Sequence, residues 1–321
     1  MQQQNMHADT VFVTGATGRL GRAVVPALVG SGSAVRALMV EKEDVKLLPP
    51  GTVPFVGSLG DTEVLDEACR GADVVLHFAG LTHVANSTAE AVMESNVEGT
   101  KNLLKACEKG KVKHMIFTST VDVYGRKRSG ALNEDAKLLP TDKYGHSKML
   151  AEQEISGSGV PYTIVRPANI YGPGFERSFF KIFRAVKEGK MVIIGSGENH
   201  VALVHVDDVV KALMLIKENP QASIGKTYNL TDGMIYTQEG LIDLVAELMK
   251  VPKPKRHMQE ILVRALAKAR NLDSDELRFM TSDRVIDTSR IRNELGFIPD
   301  VDIKTGGMAM INEFLNKAKE K

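Results

Sequence analysis

Three side chains of this sequence have the types and spacing needed to move a proton beside a hydride. Tyr144 and Lys148 lie four residues apart in Tyr144-Gly145-His146-Ser147-Lys148, so on a helix they share one face. A free tyrosine, with a pKa of about 10, is a poor acid–base group at neutral pH. A nearby ammonium favours the phenolate and lowers that value. Lys148 is therefore expected to tune Tyr144 and to hold a nicotinamide ribose, while Tyr144 gives or takes the proton of a substrate hydroxyl. Upstream, the run Phe117-Thr118-Ser119-Thr120 supplies hydroxyls. Thr120 is the candidate to bond and orient the reacting oxygen, and Thr118 is counted with the cofactor-binding residues.

A glycine cluster stands near the start of the chain, Thr14-Gly15-Ala16-Thr17-Gly18-Arg19-Leu20-Gly21. Its spacing is G-x-x-G-x-x-G, with a strand pattern before it and a helix pattern after it. Glycines there permit a tight turn and close backbone approach to a pyrophosphate, and the helix start offers free N–H groups and a positive dipole end. Glycine turn, hydroxyl run and Y-x-x-x-K, in that order, point to a dinucleotide-dependent oxidoreductase. The choice of dinucleotide stays open between NAD and NADP. An acid at the end of the second strand binds the ribose 2′-OH, and a base accommodates a 2′-phosphate. Glu41 argues for the first, Arg19 for the second.

The elements that must position these groups follow from the apolar rhythm. Strands are expected over Thr10–Thr14, Ala34–Val40, Val53–Val56, Asp73–Phe78, His114–Ser119 and Tyr162–Pro167. Helices are expected over Gly18–Val29, Asp61–Arg70 with Asp61 as N-cap, Ala89–Lys109 and Lys143–Gly157. Strand–helix–strand repetition gives an α/β fold, a doubly wound parallel Rossmann-type sheet. After Asn169 the rhythm changes to helices over Phe179–Lys187, Asp208–Lys217, Gln238–Met249, Ile261–Ala269 and Ile303–Asn316, with short strands at Val192–Ile194, Ala202–Val206 and Lys226–Leu230. Residues 1–170 are read as the dinucleotide-binding domain, with segments near 202–232 returning to it. Residues 171–201 and 233–321 are read as a smaller C-terminal substrate-binding lobe.

Composition narrows the partners. The chain has 321 residues, 43% hydrophobic and 25% charged, with 41 basic against 40 acidic side chains. That length and mix describe a globular chain with ample core. The near-zero net charge offers no broad basic face, and Trp is absent, so nucleic acid is not an expected partner. No apolar stretch reaches membrane-spanning length and Met1–Thr10 is polar, so neither a membrane partner nor a signal peptide is expected. Cys69 and Cys107 fall in helical patterns, which suggests a reducing cytoplasm rather than a disulfide framework. His205-Val206-Asp207-Asp208 has no metal-ligand spacing; Asp207 or Asp208 suits a helix N-cap, and no metal is expected. His77, inside an apolar strand, reads as a packed core histidine. The basic stretch Lys250–His257 reads as a solvated loop.

The whole chain resembles the extended short-chain dehydrogenase/reductases of the NAD-dependent epimerase/dehydratase type. The marks are TGATGRLG at Thr14–Gly21, DVVLHFAG at Asp73–Gly80, NVEGTKNLL at Asn96–Leu104, STVDVYG at Ser119–Gly125, YGHSK at Tyr144–Lys148, RPANIYGPG at Arg166–Gly174 and HVDDV at His205–Val209. The resemblance implies that Gly15, Thr17, Gly18, Arg19, Leu20 and Gly21 contact the pyrophosphate side. It implies that Ala79 and Gly80 line the adenosine path and that Asn96 supports the cofactor pocket. Thr120, Tyr144 and Lys148 match the catalytic set. Pro167, Ala168 and Ile170 would pack near the nicotinamide, and Asn169 matches a position that contacts a substrate diphosphate.

Departures limit the substrate. The dehydratases of this group carry Asp-Glu after the catalytic Thr, where this chain has Val121-Asp122. Many of the epimerases carry an Arg before the His-Val-x-Asp segment, where this chain has Val201-Ala202-Leu203-Val204, and no apolar residue replaces that bidentate clamp. Arg177, Arg278 and Arg284 are the candidates to compensate. Nucleotide-sugar epimerase-like chemistry is the leading expectation. Net alcohol oxidation or ketone reduction is the alternative, as in the 3β-hydroxysteroid dehydrogenase-like and dihydroflavonol reductase-like branches, and a non-catalytic dinucleotide sensor is the third. The relatives pair through their two long helices, so a homodimer is expected.

Overall fold

The apolar runs become parallel strands because helices cover both faces of the sheet that they build. The computed structural model of the chain describes residues 8–82, 87–269 and 275–317; residues 1–7 of the polar N-terminal segment lie outside the described residues. Strands β1 (Thr10–Thr14), β2 (Ala34–Met39), β3 (Val53–Val56), β4 (Val74–His77), β5 (His114–Thr118), β6 (Tyr162–Pro167) and β7 (Lys226–Leu230) form one sheet, ordered β3-β2-β1-β4-β5-β6-β7. Every neighbouring pair is parallel. The order reverses between β1 and β4, the switch point at which an open α/β sheet leaves a crevice at its carboxyl edge.

The helices that cover the sheet in the first half are α1 (Arg19–Gly30), α2 (Thr62–Cys69), α3 (Ala89–Met93), α4 (Gly99–Gly110) and α5 (Lys143–Ser156). A π turn over Glu94–Glu98 joins α3 to α4 where the sequence suggests one unbroken helix. The later helices used below are α6 (Glu176–Lys187), α7 (Val206–Glu218), α8 (Gln238–Leu248) and α9 (Ile303–Lys317). Alternate strand residues point to opposite layers. Val11 and Val13 pack with Val24, Val25 and Leu28 of α1 and with Val209 and Leu213 of α7. Phe12, between them, packs with Leu65 of α2, Leu103 of α4 and Ile155 of α5. Beyond the sheet, Phe183 of α6 and Met310, Ile311 and Phe314 of α9 enclose a separate core with Tyr171 and Leu203. Cys69 and Cys107 are buried free thiols. Among the described residues no helix is long and apolar enough to cross a membrane.

Several local expectations are corrected. Lys127–Leu132 and Asp283–Ile286 pair in parallel as a two-stranded sheet of their own. The first of these is polar and mostly exposed, so it carries no apolar signature. In the 202–232 stretch, Lys226–Leu230 is the outermost main-sheet strand, whereas Leu203–His205 pairs separately with Asn169–Tyr171. Asp61 occupies the N-cap position of α2, but its carboxylate accepts from Ser58 instead of from a helix N–H. On α7 the capping group is His205, whose Nδ1 accepts from the Asp207 N–H at 3.2 Å. Asp208 is buried and accepts from the N–H groups of Asp300 and Val301, at 2.7 and 3.2 Å, tying down the chain before α9.

His77 is fully buried and its proton is located by its partners. Thr100 Oγ1 donates to the Asn96 carbonyl at 2.6 Å, so it accepts from His77 Nε2 at 3.0 Å. Nδ1 then accepts from Thr14 Oγ1 at 2.7 Å. Both ring nitrogens are satisfied in this neutral form. Burial, with the Lys148 ammonium nearby, pushes His77 down to about 3. Burial pushes His114 down to about 4. An unfolded histidine titrates near 6.5, so between those values the unfolded chain binds more protons than the folded one. Stability present above pH 6.5 is expected to fall as the pH drops toward 4, by several kcal/mol, because each tenfold difference in proton affinity between the two states is worth about 1.4 kcal/mol. Urea unfolding at pH 7 and pH 4.5 checks it, and a His77→Gln variant is expected to flatten the loss. An unchanged pH dependence in that variant would overturn the assignment.

Candidate active site

The turn after β1 works because glycines stand where a side chain has no room. Gly15 has φ of 68°, and a Cβ there would lie 2.7 Å from the Ala79 nitrogen and 2.9 Å from the Phe78 carbonyl carbon. A Cβ on Gly21 would lie 2.3 and 2.4 Å from the Gly15 and Ala16 oxygens. The ends of β1 and β4 and the first turn of α1 therefore close on one another. Gly18 is the N-cap of α1, and no side chain caps that end. Its first-turn N–H groups are left for an anion, at the positive end of the helix.

Two clefts open from this turn. One, of about 520 Å³, runs from Gly15, Gly18, Leu20 and Gly21 to Thr118, Thr120, Tyr144 and Lys148, and on to Pro167, Ala168 and Ile170. The other, of about 580 Å³, shares Gly15, Gly18 and Gly80 with the first and continues past Thr17 and Ala79 to Met39 and Val40. Asn96 stands behind the wall between them. Its Oδ1 accepts from the Leu81 N–H at 2.7 Å, and its Nδ2 donates to the Leu81 carbonyl and to Ser147 Oγ, each at 2.9 Å. The π turn places Asn96 there, and a Cβ on Gly80 would strike its Oδ1.

Neither of the two residues expected to choose the dinucleotide lines the second cleft, although Arg19 does line the first. β2 ends at Met39, so Glu41 falls past the groove, exposed, at the start of a 3-10 turn. Val40, 66% exposed, takes the edge position instead. Arg19 points away from the adenosine end, its guanidinium 5.1 Å from the centre of the Phe175 ring. The charged side chains along the adenosine cleft are Glu94 and Glu98, the latter paired with Lys101. Among the described residues that line this cleft, no basic side chain stands to meet a 2′-phosphate.

At the other end, α5 and the end of β5 bring the catalytic candidates into one cleft. Lys148 is buried; its Nζ donates to the Thr118 carbonyl at 2.8 Å and lies 4.3 Å from the centre of the Phe117 ring. Burial pushes it down to about 7, against the pull of the Glu152 carboxylate. Thr120 Oγ1 accepts from the Asp122 N–H at 3.2 Å, which leaves its own O–H to donate into the cleft. The expectation that Lys148 holds the Tyr144 phenol down is corrected. Burial raises Tyr144 well above its ordinary value, with the Asp122 and Asp142 carboxylates adding to the rise and Arg19 opposing it. The lysine is turned to the Thr118 carbonyl, and desolvation outweighs it.

These residues fit a nicotinamide dinucleotide. The glycine cradle would be filled by any Cβ. Thr118 Oγ1 is buried beside the cleft with no hydrogen-bond partner among the described residues. Gly15, Gly18 and Gly21 would hold the pyrophosphate, and Thr118, Tyr144 and Lys148 the nicotinamide end.

The substrate side differs from expectation. Asn169 lines the cleft, but its Nδ2 donates to the Ala202 carbonyl at 3.0 Å. Arg284 is buried and bound to Asp122 and to the Val121 and Gly125 carbonyls. Arg177 is exposed, and Arg278 lies beside Arg126, Asp142 and Asn169 in a side pocket of about 80 Å³. The nearer walls are Phe175, Phe179 and Ile182, with Phe279 from the helix Asp275–Met280. The helical spacing of α6 announces an apolar face; nothing in the sequence aims that face at Tyr144.

The same architecture occurs in known proteins. The profile of the NAD dependent epimerase/dehydratase family matches residues 11–231. A 4-hydroxy-2-methyl-3-oxo-4-farnesyl-3,4-dihydroquinoline-1-oxide ketoreductase of Stigmatella aurantiaca is 29% identical, over 92% of this chain and 93% of its own length. An N-acetyl-alpha-D-glucosaminyl-diphospho-ditrans,octacis-undecaprenol 4-epimerase of Escherichia coli O157:H7 is 26% identical, over 78% of this chain and 75% of its own. The crystal structure of UDP-glucuronic acid 4-epimerase from Bacillus cereus in complex with NAD superposes with a TM-score of 0.79 at 21% identity, covering 96% of this chain and 99% of that one.

Proposed function

We propose that this chain, which belongs to the NAD dependent epimerase/dehydratase family, exchanges hydride between NAD and a secondary-alcohol or ketone carbon. The observation that carries this reading is the convergence of Thr120, Tyr144 and Lys148 at one end of a groove that begins at the glycine turn. Bound there, the nicotinamide would supply or accept the hydride. Thr120 donates its O–H to the substrate oxygen and fixes its direction. Tyr144 Oη, a neutral phenol at pH 7, gives its proton to the oxygen of a carbonyl as that oxygen gains charge. In the reverse direction the same oxygen takes the proton back. The Lys148 ammonium stabilises the phenolate left behind. NAD is favoured over NADP because Arg19 faces Phe175 and the adenosine wall carries Glu94 and Glu98.

One observation bears on the substrate. Phe175, Phe179, Ile182 and Phe279 face the catalytic end. They favour a ketone or alcohol with an apolar body, in line with the ketoreductase named among the relatives. The nucleotide-sugar epimerase reading is second, supported by the epimerase relatives and by Arg278 and Asn169 at the side pocket. Calorimetric titration with NAD and NADP, then with UDP-, GDP- and dTDP-sugars in the presence of NAD, separates them. NAD is expected to bind about tenfold or more tighter than NADP, a difference of ~1.4 kcal/mol. No sugar nucleotide is expected to bind, while NADH is oxidised by apolar ketones such as 2-tetralone. Tight binding of one sugar nucleotide would replace the first reading by the second. Pairing of two copies through α4 and α5 is proposed on family resemblance; sedimentation showing only monomer at micromolar concentration would count against it.

A further inference from the structure

We propose that Glu152 is a positioning residue for this site: its buried carboxylate, clamped by Arg166, fixes the strand end that carries Thr118 and Thr120 and favours the charged form of Lys148. The inference rests on the hydride-transfer reading. Lys148 and Glu152 are one helical turn apart on α5, facing the sheet, 5% and 4% exposed. Oε1 of Glu152 accepts from Ser119 Oγ at 2.5 Å and from Arg166 Nε at 3.0 Å, and Oε2 accepts from Arg166 Nη2 at 2.6 Å. Ser119 lies between the residue whose carbonyl holds Lys148 and the residue whose hydroxyl orients the substrate. One carboxylate therefore ties α5 to the segment that completes the cleft.

The clamp is itself anchored. Arg166 Nη1 donates to the Tyr124 hydroxyl at 2.7 Å and to the Glu134 carbonyl at 3.1 Å, and that hydroxyl donates to Asn229 Oδ1 at 2.7 Å. Such a pair is a weak source of stability, because removing two charges from water costs several kcal/mol per ion. An apolar pair of the same volume would fill the space, but it would leave Lys148 without a carboxylate. The groups recorded against Lys148 are Glu152 from α5, neutral His77 from β4, and the Phe117 ring and Thr118 carbonyl from β5. Glu152 supplies the negative charge in that set. Without it, burial is unopposed and the amine is neutral at pH 7, unable to stabilise a phenolate.

The test reads Lys148 directly and needs no substrate. Acylation of the folded protein by trace acetic anhydride, followed by mass spectrometry of the Lys148 peptide across pH, gives the midpoint at which the amine becomes reactive. Exposed Lys105 is the internal reference. In Glu152→Gln the midpoint is expected to move at least tenfold higher in proton concentration, seen as a severalfold faster acylation of Lys148 at pH 6. Glu152→Gln/Arg166→Met removes both charges and guards against misfolding caused by an unpaired Arg166; a displacement toward acid is again expected, smaller because a positive charge leaves with the negative one. A folded double variant with the wild-type midpoint overturns the proposal. Failure of the hydride-transfer reading would show elsewhere, as NADH that binds the wild type yet is oxidised by no carbonyl compound.

Discussion

Tyr144→Phe is expected to lower kcat by a factor of about 10²–10⁴, the usual worth of a positioned acid–base group, while NAD binds within about threefold of wild type. The phenol lies in the cleft beside Thr120 and Lys148, and burial with two carboxylates nearby keeps it protonated at neutral pH. Phenylalanine keeps the ring and its packing, so the change isolates the proton. Its loss leaves Thr120 to orient a substrate oxygen that has no acid to meet it. Stopped-flow oxidation of bound NADH separates the chemical step from binding, and fluorescence of the bound NADH reports affinity. Activity surviving in this variant would mean that the proton comes from another group and that the assigned mechanism is wrong.

Gly21→Ala is the second large effect, and it acts at the other end of the groove. The new Cβ would fall 2.3 Å from the Gly15 oxygen and 2.4 Å from the Ala16 oxygen. These are backbone atoms, so no flexible side chain yields. The first turn of α1 must move away from the end of β1, taking with it the N–H groups that face a pyrophosphate. Overpacking of this kind costs about 1–3 kcal/mol. The same displacement at the binding site is expected to weaken NAD by about 10–100-fold. Titration of NADH fluorescence measures the second effect and thermal unfolding the first. Unchanged affinity in a folded Gly21→Ala protein would remove the glycine turn from the cofactor site.

The sequence reveals the parts of this site whose chemistry is local. Tyr144 and Lys148 are one turn apart on any helix, and the glycine turn is bounded by its own strand and helix. Both therefore announce themselves before the chain is folded, as does β6, whose bounds Tyr162–Pro167 match the apolar run. Features that depend on distant partners do not. Glu41 carries the right charge, but β2 stops at Met39 and turns it outward. Arg19 carries the right charge for a phosphate, but it lies over Phe175, a residue from another part of the chain. The spacing of Tyr144 and Lys148 suggests mutual tuning; desolvation, which depends on everything packed around them, reverses its sign for the tyrosine. Phe279 enters the cleft from more than a hundred residues downstream, and no local pattern marks it.

The parallel pairing of Lys127–Leu132 with Asp283–Ile286 bears on how the protein is made. Arg284 of the later strand binds Asp122 and the carbonyls of Val121 and Gly125, the turn that follows Thr120. A ribosome delivers the glycine turn, Tyr144 and Lys148 long before it delivers Arg284. For much of synthesis the emerging chain holds a nearly complete dinucleotide half whose catalytic turn lacks its fastening. Contacts at such separation form late, and domains generally fold as units, N-terminal first, during synthesis. A nascent chain halted before residue 283 is thus expected to gain its sheet with the turn after Thr120 still unfastened.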